Sequence, residues 1–119
     1  IFRGVSKYYI EHLPKDLVPY WDLEFSDGDA QPRDSSSASI AACGMLEMAK
    51  YLYDEEAAFY RDLAEKFIGS DRMCLHSTYS NRSPYNTCNP CGVDECNSWG
   101  DYFYMEALTR LQKDWQIYW

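Results

Sequence analysis

The stretch DSSSASIAACGMLEMAKYLY, residues 34–53, restricts the folds open to this chain more than any other. Asp34 and Ser35 are both good N-caps, and the spacing predicts a helix from there to about Tyr53. Ala38, Ala42, Met45, Ala49 and Leu52 form one apolar stripe. Ile40, Cys43 and Leu46 make the other side apolar as well. A helix that is apolar nearly all round must be covered on most of its faces. Gly44 and the alanines would let covering helices come close.

The rest of the chain supplies three more helices. Phe2 to Leu13 reads as a helix end, with Phe2, Val5, Tyr9 and Leu13 one or two turns apart and Pro14 as its stop. The next helix is capped by Asp54 and ended by Gly69. Its stripe is Phe59, Leu63 and Phe67, while Glu55, Arg61, Asp62, Glu65 and Lys66 mark it as a surface helix. The last begins at Trp99, with Ser98 as N-cap and Asp101 three residues on as a capping-box-like partner. Trp99, Phe103, Ala107 and Leu111 face one way, and Tyr104, Met105 and Leu108 broaden the apolar surface, so this helix is expected to be mostly buried. The aromatic tail DWQIYW is expected to pack back onto the body.

Long loops precede both apolar helices. LVPYWDLEFSDGDAQPR, residues 17–33, carries two prolines and an Asp-Gly-Asp turn signal, and a loop this long in a compact domain points to function. Residues 70–97 form the second, rich in Ser, Asn, Pro and Cys. The order surface, buried, surface, buried suits an arc of a layered helical toroid, in which inner helices form a ring and outer helices cover it. A small helical bundle is the competing architecture.

The chain has 119 residues, so one domain is expected. It opens on Ile1, already inside an amphipathic pattern, so a piece of something longer is expected. The formal net charge of −8 speaks against a nucleic-acid partner. No segment approaches the roughly 18 consecutive apolar residues of a membrane span, so no membrane partner is expected. Tyr and Trp rings can stack on sugars, but core filling accounts for most of them. Four of the five cysteines fall between Cys74 and Cys96, and reduced thiols of a cytoplasmic protein are the simplest reading.

Several constellations could carry chemistry. Cys88 and Cys91 form a C-x-x-C, with Cys96 nearby and His76 or Cys74 as a fourth donor; close spacing of this kind suits a tetrahedral zinc ion. Unbound loop thiols explain it more simply, so no metal ligand is assigned. A small helical binding module with zinc in this loop stays open as the alternative. Asp94 and Glu95 could do acid–base work, though carboxylates before a helix N-terminus are favoured there anyway. Arg33, Asp34, Ser35 and Ser36 set a guanidinium, a carboxylate and hydroxyls at the mouth of an apolar helix, where free N–H groups can hold an anion. Plain N-capping competes with that reading.

VPYWDLEF and PRDSSSASIAACGMLEMAKY, between Val18 and Tyr51, together with GVDECNSWGDYFYMEALTRL, Gly92 to Leu111, resemble the unsaturated glucuronyl hydrolases of glycoside hydrolase family 88. The resemblance implies an all-α chain of about four helices with long loops, forming the C-terminal portion, residues 1–119, of a single (α/α)6 barrel domain. It implies hydrolysis of oligosaccharides left by polysaccharide lyases. Their terminal 4,5-unsaturated uronic acid is released after protonation and hydration of its vinyl ether, with no metal or organic cofactor.

The family's catalytic aspartates lie upstream of the matched blocks, so no catalytic residue is assigned and this chain alone is expected to be inactive. Its partners would be an unsaturated uronate-terminated oligosaccharide and the rest of the same barrel. By resemblance, the loop entering the last inner helix borders the substrate pocket. That makes Asn97, Ser98, Trp99 and Tyr102 candidates for substrate binding. Trp21, Asp22, Arg33, Asp34 and Ser35 are candidates on the earlier loop. Each has a structural reading beside the functional one.

Overall fold

The computed structural model describes residues 1–69, 75–80 and 92–116. Four α-helices carry the chain: α1 (Phe2–Glu11), α2 (Ser35–Ala49), α3 (Asp54–Ile68) and α4 (Ser98–Gln112). Among the described residues β-structure is limited to two isolated antiparallel bridges, Tyr20 with Arg33 and Ser77 with Glu95. None of these helices is long and apolar enough to cross a membrane.

Helix α2 is the hub, as its all-round apolar character requires. Ala38, Ala42, Cys43, Met45 and Leu46 are buried against α3 and α4, joined by Tyr60, Ala64, Phe67, Ile68 and Ala107. Small side chains on α2 allow both neighbours to approach, which gives dense packing without long side chains between the axes. Helix α1 lies along this body through its rings. Phe2 meets Tyr60 at 5.0 Å between centroids, and Tyr9 meets Phe67 edge-on at 6.2 Å. Arg3 closes the outside of that seam with a 2.6 Å ion pair to Glu56.

Several boundaries differ from the sequence reading. Helix α1 ends at Glu11 with His12 as C-cap, a little before Pro14. Helix α2 stops at Ala49, because Tyr53 takes an extended conformation (φ −107°, ψ 144°) to start α3. Tyr53, not Asp54, is the N-cap of α3, and Asp54 sits at φ +43° as its first residue. Asp54, Glu55 and Glu56 then crowd the first turn, where the helix dipole favours negative charge. Of the expected α3 stripe, Phe67 is fully buried and Leu63 packs partly buried against the core, but Phe59 gives way to Tyr60. Tyr60, Ala64, Phe67 and Ile68 point inward, while Phe59 is half exposed and lies edge-on to Tyr60 at 5.2 Å.

Helix α4 departs furthest from expectation. Gly100, Glu106 and Ala107 are its buried residues. Trp99, Tyr102 and Met105 lie open to solvent. Among the four helices α2 and α3 flank this one, and no helix of the described residues covers its remaining face. Helix α2 also keeps an open strip, at Ile40 and Gly44. Both apolar helices are thus packed along one flank and bare along another. At the C-terminal side the tail does turn back as expected as far as Trp115: its carbonyl accepts a hydrogen bond from Lys50 Nζ, and its ring lies 5.3 Å from the Arg110 guanidinium. Residues 117–119 of the tail lie outside the described residues.

Candidate functional site at the N-termini of α2 and α4

The N-terminal ends of α2 and α4 converge. Trp99 Nε1 donates to Ser36 Oγ at 3.3 Å, joining the first turn of one helix to the first turn of the other. The closeness depends on Gly100. A Cβ there would stand 2.8 Å from Asn97 Oδ1 and 3.2 Å from Ser36 Cβ. Asn97 is the cap of α4, in the place expected for Ser98, and its Oδ1 accepts the Gly100 N–H at 2.6 Å. Asn97 is buried, and its Nδ2 has no hydrogen-bond partner among the described residues.

Asp34 caps α2 as the sequence predicts. Its Oδ1 accepts from the Ser36 N–H at 3.2 Å, the Ser36 hydroxyl at 2.6 Å and the Thr78 N–H at 3.4 Å. The capping carboxylate therefore also anchors the 75–80 segment. Ser35, fully buried, donates its N–H to the His76 carbonyl at 2.7 Å, and its hydroxyl lies 3.5 Å from that of Ser77. Ser77 and Glu95 exchange backbone hydrogen bonds at 3.1 Å in both directions. The 75–80 segment is thus held between the start of α2 and the approach to α4.

Over this base stand groups of mixed character. His76 Nδ1 is 3.1 Å from Asp94 Oδ1, with Asp94 at φ +56°. Tyr79 donates its hydroxyl to Glu95 Oε2 at 2.9 Å and sets its ring edge-on to Trp99 at 5.9 Å. Trp99 is 44% exposed, so a large ring is held in place by its indole N–H while much of it stays open. Tyr102 is one turn further along. Its phenol is raised above the ordinary tyrosine pKa by hydrogen bonding with Glu106, so it stays protonated near neutrality. Ser98 is exposed beside Trp99.

The earlier loop is organised differently. Arg33 points into its own loop: Nη1 donates to the Val18 carbonyl at 2.5 Å and to Asp16 Oδ1 at 3.2 Å, and the guanidinium lies over the Tyr20 ring at 3.9 Å. Those partners make it a strap on the loop. Trp21 donates its indole N–H to Gln31 Oε1 at 3.2 Å and tilts against Phe25, while Asp22 Oδ1 accepts the Glu24 N–H at 3.0 Å. The structure thus gathers Asp34, Ser35, Asn97, Ser98 and Trp99 at one end of the helix pair. The side chains of Trp21, Asp22 and Arg33 make their bonds within the 16–33 loop, while the Arg33 carbonyl accepts the Thr78 hydroxyl at 2.7 Å.

Ser36, Ser77 and Tyr79 join the site without having been singled out as binding residues. Ser36 stands in the quoted Arg33–Ser36 run, but Ser77 and Tyr79 carry no local signal, since their pairing spans a loop.

No metal centre is formed by the described residues, among which no group of three His, Cys, Asp or Glu gathers. Cys74, Cys88 and Cys91 of the C-x-x-C reading lie outside the described residues, and Cys96 is exposed. Cys43 is buried, donates its Sγ–H to the Phe103 carbonyl at 3.2 Å, and has its pKa pushed up to about 12, first by burial and then by Glu106. It is a packing residue with no thiolate at neutral pH.

The opposite end of the helix pair is a charge lattice. Arg110 Nη1 donates to Glu47 Oε2 at 2.5 Å and its Nε to Glu106 Oε1 at 2.8 Å. Lys50 adds a 3.0 Å bond to Glu47. The Arg110 side chain is only 7% exposed, so this is a buried pairing.

The whole chain matches an unsaturated chondroitin disaccharide hydrolase of Streptococcus agalactiae serotype III (strain NEM316) at 43% identity, covering 100% of this chain and 32% of the relative. The crystal structure of the unsaturated glucuronyl hydrolase from Streptococcus agalactiae superimposes with a TM-score of 0.86 at 41% identity, over 99% of this chain and 34% of that one. The chain is homologous to the unsaturated glucuronyl hydrolases of glycoside hydrolase family 88. The unsaturated glucuronyl hydrolase of Bacillus sp. (strain GL1) is 32% identical over 98% of this chain and 33% of its own length. No family model matches the chain. The four helices correspond to part of the (α/α)6 barrel of these hydrolases, and the chain spans about a third of the length of the relatives it matches. Two related structures contain sugar: one hydrolase was solved with dGlcA-GalNAc6S and another with dGlcA-Glc-Rha-Glc.

Proposed function

We propose that this chain forms part of an unsaturated glucuronyl hydrolase, in which residues 1–119 belong to one barrel domain and supply a wall of the sugar site. The substrate class is an oligosaccharide ending in a 4,5-unsaturated uronic acid, as polysaccharide lyases leave. The carrying observation is the identity of 43% to an unsaturated chondroitin disaccharide hydrolase along the whole chain. The geometry at the N-termini of α2 and α4 supports the same reading. A half-open Trp99 ring beside Tyr79 offers a stacking surface, and hydroxyls and amides at helix starts offer hydrogen bonds to sugar oxygens.

In this reading Trp99, Tyr102 and Ser98 line the sugar side directly, and buried Asn97 caps the helix that carries them. Asp34 and Ser35 act through the segment they anchor. Trp21, Asp22 and Arg33 shape the neighbouring loop. The carboxyl group that protonates the vinyl ether comes from the part of the barrel this chain does not span, and no cofactor takes part. The chain alone is therefore inactive.

The test is to supply a polypeptide of the relatives' full length that contains this chain with unsaturated disaccharides, without added metal, and to follow the ultraviolet absorbance of their C=C bond. Decay of the absorbance is the expected result. An unchanged signal across a panel of lyase products would leave the homology as one of fold.

A further inference from the structure

A half-open indole on a helix surface has side-chain torsions to settle and little packing to settle them. Trp99 is in that position, yet it carries restraints of different kinds. The Tyr79 ring meets it edge-on at 5.9 Å, a contact that braces the indole but lets it rock. Its Nε1–H donates to Ser36 Oγ at 3.3 Å, and that bond decides which edge of the indole faces the protein.

Ser36 is suited to this by where its own proton goes. The Ser36 hydroxyl donates to Asp34 Oδ1 at 2.6 Å, which leaves the lone pairs of the oxygen as acceptors. A hydroxyl whose proton is drawn toward a carboxylate is a better acceptor for it. Asp34 is held in turn by the Ser36 and Thr78 N–H groups. Ser36 is buried, and its Cβ stands 3.2 Å from where a Cβ on Gly100 would be, so the hydroxyl sits at a close contact between the two first turns.

We propose that Ser36 is a positioning residue for sugar binding, its hydroxyl holding the Trp99 indole in the orientation on which a sugar ring stacks. The inference rests on the reading of Trp99 as part of the sugar wall. It adds that Asp34 reaches the sugar through Ser36, apart from its part in anchoring the 75–80 segment. Without the bond the indole has to be ordered each time a sugar stacks on it, which weakens binding by about threefold to tenfold. Such a loss falls on ground state and transition state alike, so it raises KM and spares kcat.

The test is a double-mutant cycle in the full-length polypeptide, read as KM and kcat on an unsaturated chondroitin disaccharide. Ser36→Ala removes the acceptor. Benzothienylalanine at position 99 keeps the fused ring, puts sulfur in place of the N–H and leaves the Asp34 cap untouched. Each alone is expected to raise KM about threefold to tenfold, with kcat within about twofold. The two together should raise KM no further than either alone, since both delete one bond. If Ser36→Ala does not fold, the ring replacement reads the same bond by itself.

An unchanged KM in the ring-replaced protein would overturn the proposal. So would effects that multiply in the double variant, which would confine Ser36 to the helix cap. Trp99→Ala, run alongside, separates this failure from that of the functional reading. An unchanged KM there removes the sugar wall and the proposal together. A raised KM there, with the parental KM in the other two variants, removes the proposal alone.

Discussion

Helices α2 and α4 touch at both ends, and the two ends are built from opposite materials. At the N-terminal end the side chains are hydroxyls, amides and rings, held by Asp34 and Asn97 as caps. At the C-terminal end they are charges, with Arg110 between Glu47 and Glu106. The helix dipoles explain part of the contrast, since N-termini favour acceptor caps and C-termini favour cations. The rest is a division of labour. The charged end pairs Arg110 with both Glu47 and Glu106 and locks the helix pair, although Glu106 Oε2 has no hydrogen-bond partner among the described residues. The polar end leaves the Trp99 ring half open, and that exposure is how a surface prepared for a ligand differs from one prepared for packing.

That contrast can be broken from the charged end first. Arg110→Ala leaves buried Glu106 without its cation and Glu47 with Lys50 alone, and should cost about 3–5 kcal/mol of stability, measured by denaturant unfolding. A loss below about 1 kcal/mol would mean that the lattice is not a lock. Gly100→Ala attacks the polar end. Alanine gains about 1 kcal/mol of helix propensity. Its Cβ nevertheless meets Asn97 Oδ1 at 2.8 Å and Ser36 Cβ at 3.2 Å, both fixed by their own bonds. Overpacking of this kind should leave a net loss of about 1–2 kcal/mol, and a stabilised variant would show that the two first turns are not in close contact.

Asn97→Ala should cost less, about 0.5–1 kcal/mol, because losing the cap is offset by removing a buried amide donor without a described partner. The smallest effect is on pH. Desolvation opposes ionisation of Glu47, but bonds from Lys50 and Arg110 outweigh it and hold the carboxyl below its ordinary range. Arg3 does the same for exposed Glu56 through a hydrogen bond. Their contribution is complete above the unfolded carboxylate pKa of about 4.3 and drains as pH falls through the lower folded values. Thermal unfolding should therefore be flat from pH 7 to 5 and fall below about pH 4, with Glu47→Gln flattening that fall.

The four helices and the hub role of α2 were legible in the residues, because an all-round apolar helix has few solutions. The errors came where two local choices were nearly equal and a distant contact decided. Phe59 and Tyr60 are both apolar and adjacent, and the Phe2 ring, far away in sequence, selects Tyr60. Asn97 and Ser98 are both good caps, and the fit of Gly100 against Ser36 selects Asn97. Periodicity predicts α4 as mostly buried because it counts apolar residues without showing which neighbours stand beside them. At the site, the cap at Asp34 was visible. The role of the 75–80 segment was not, since Ser77 pairs with Glu95 without any strand pattern to announce it.

The central claim is that the polar end of the helix pair faces sugar, and Trp99 tests it most directly. Trp99→Ala, placed in the full-length polypeptide and assayed on an unsaturated chondroitin disaccharide, should raise KM at least tenfold while the protein keeps its melting temperature within a few degrees. Unchanged KM and kcat in a folded variant would contradict the claim and return Trp99 to a packing role.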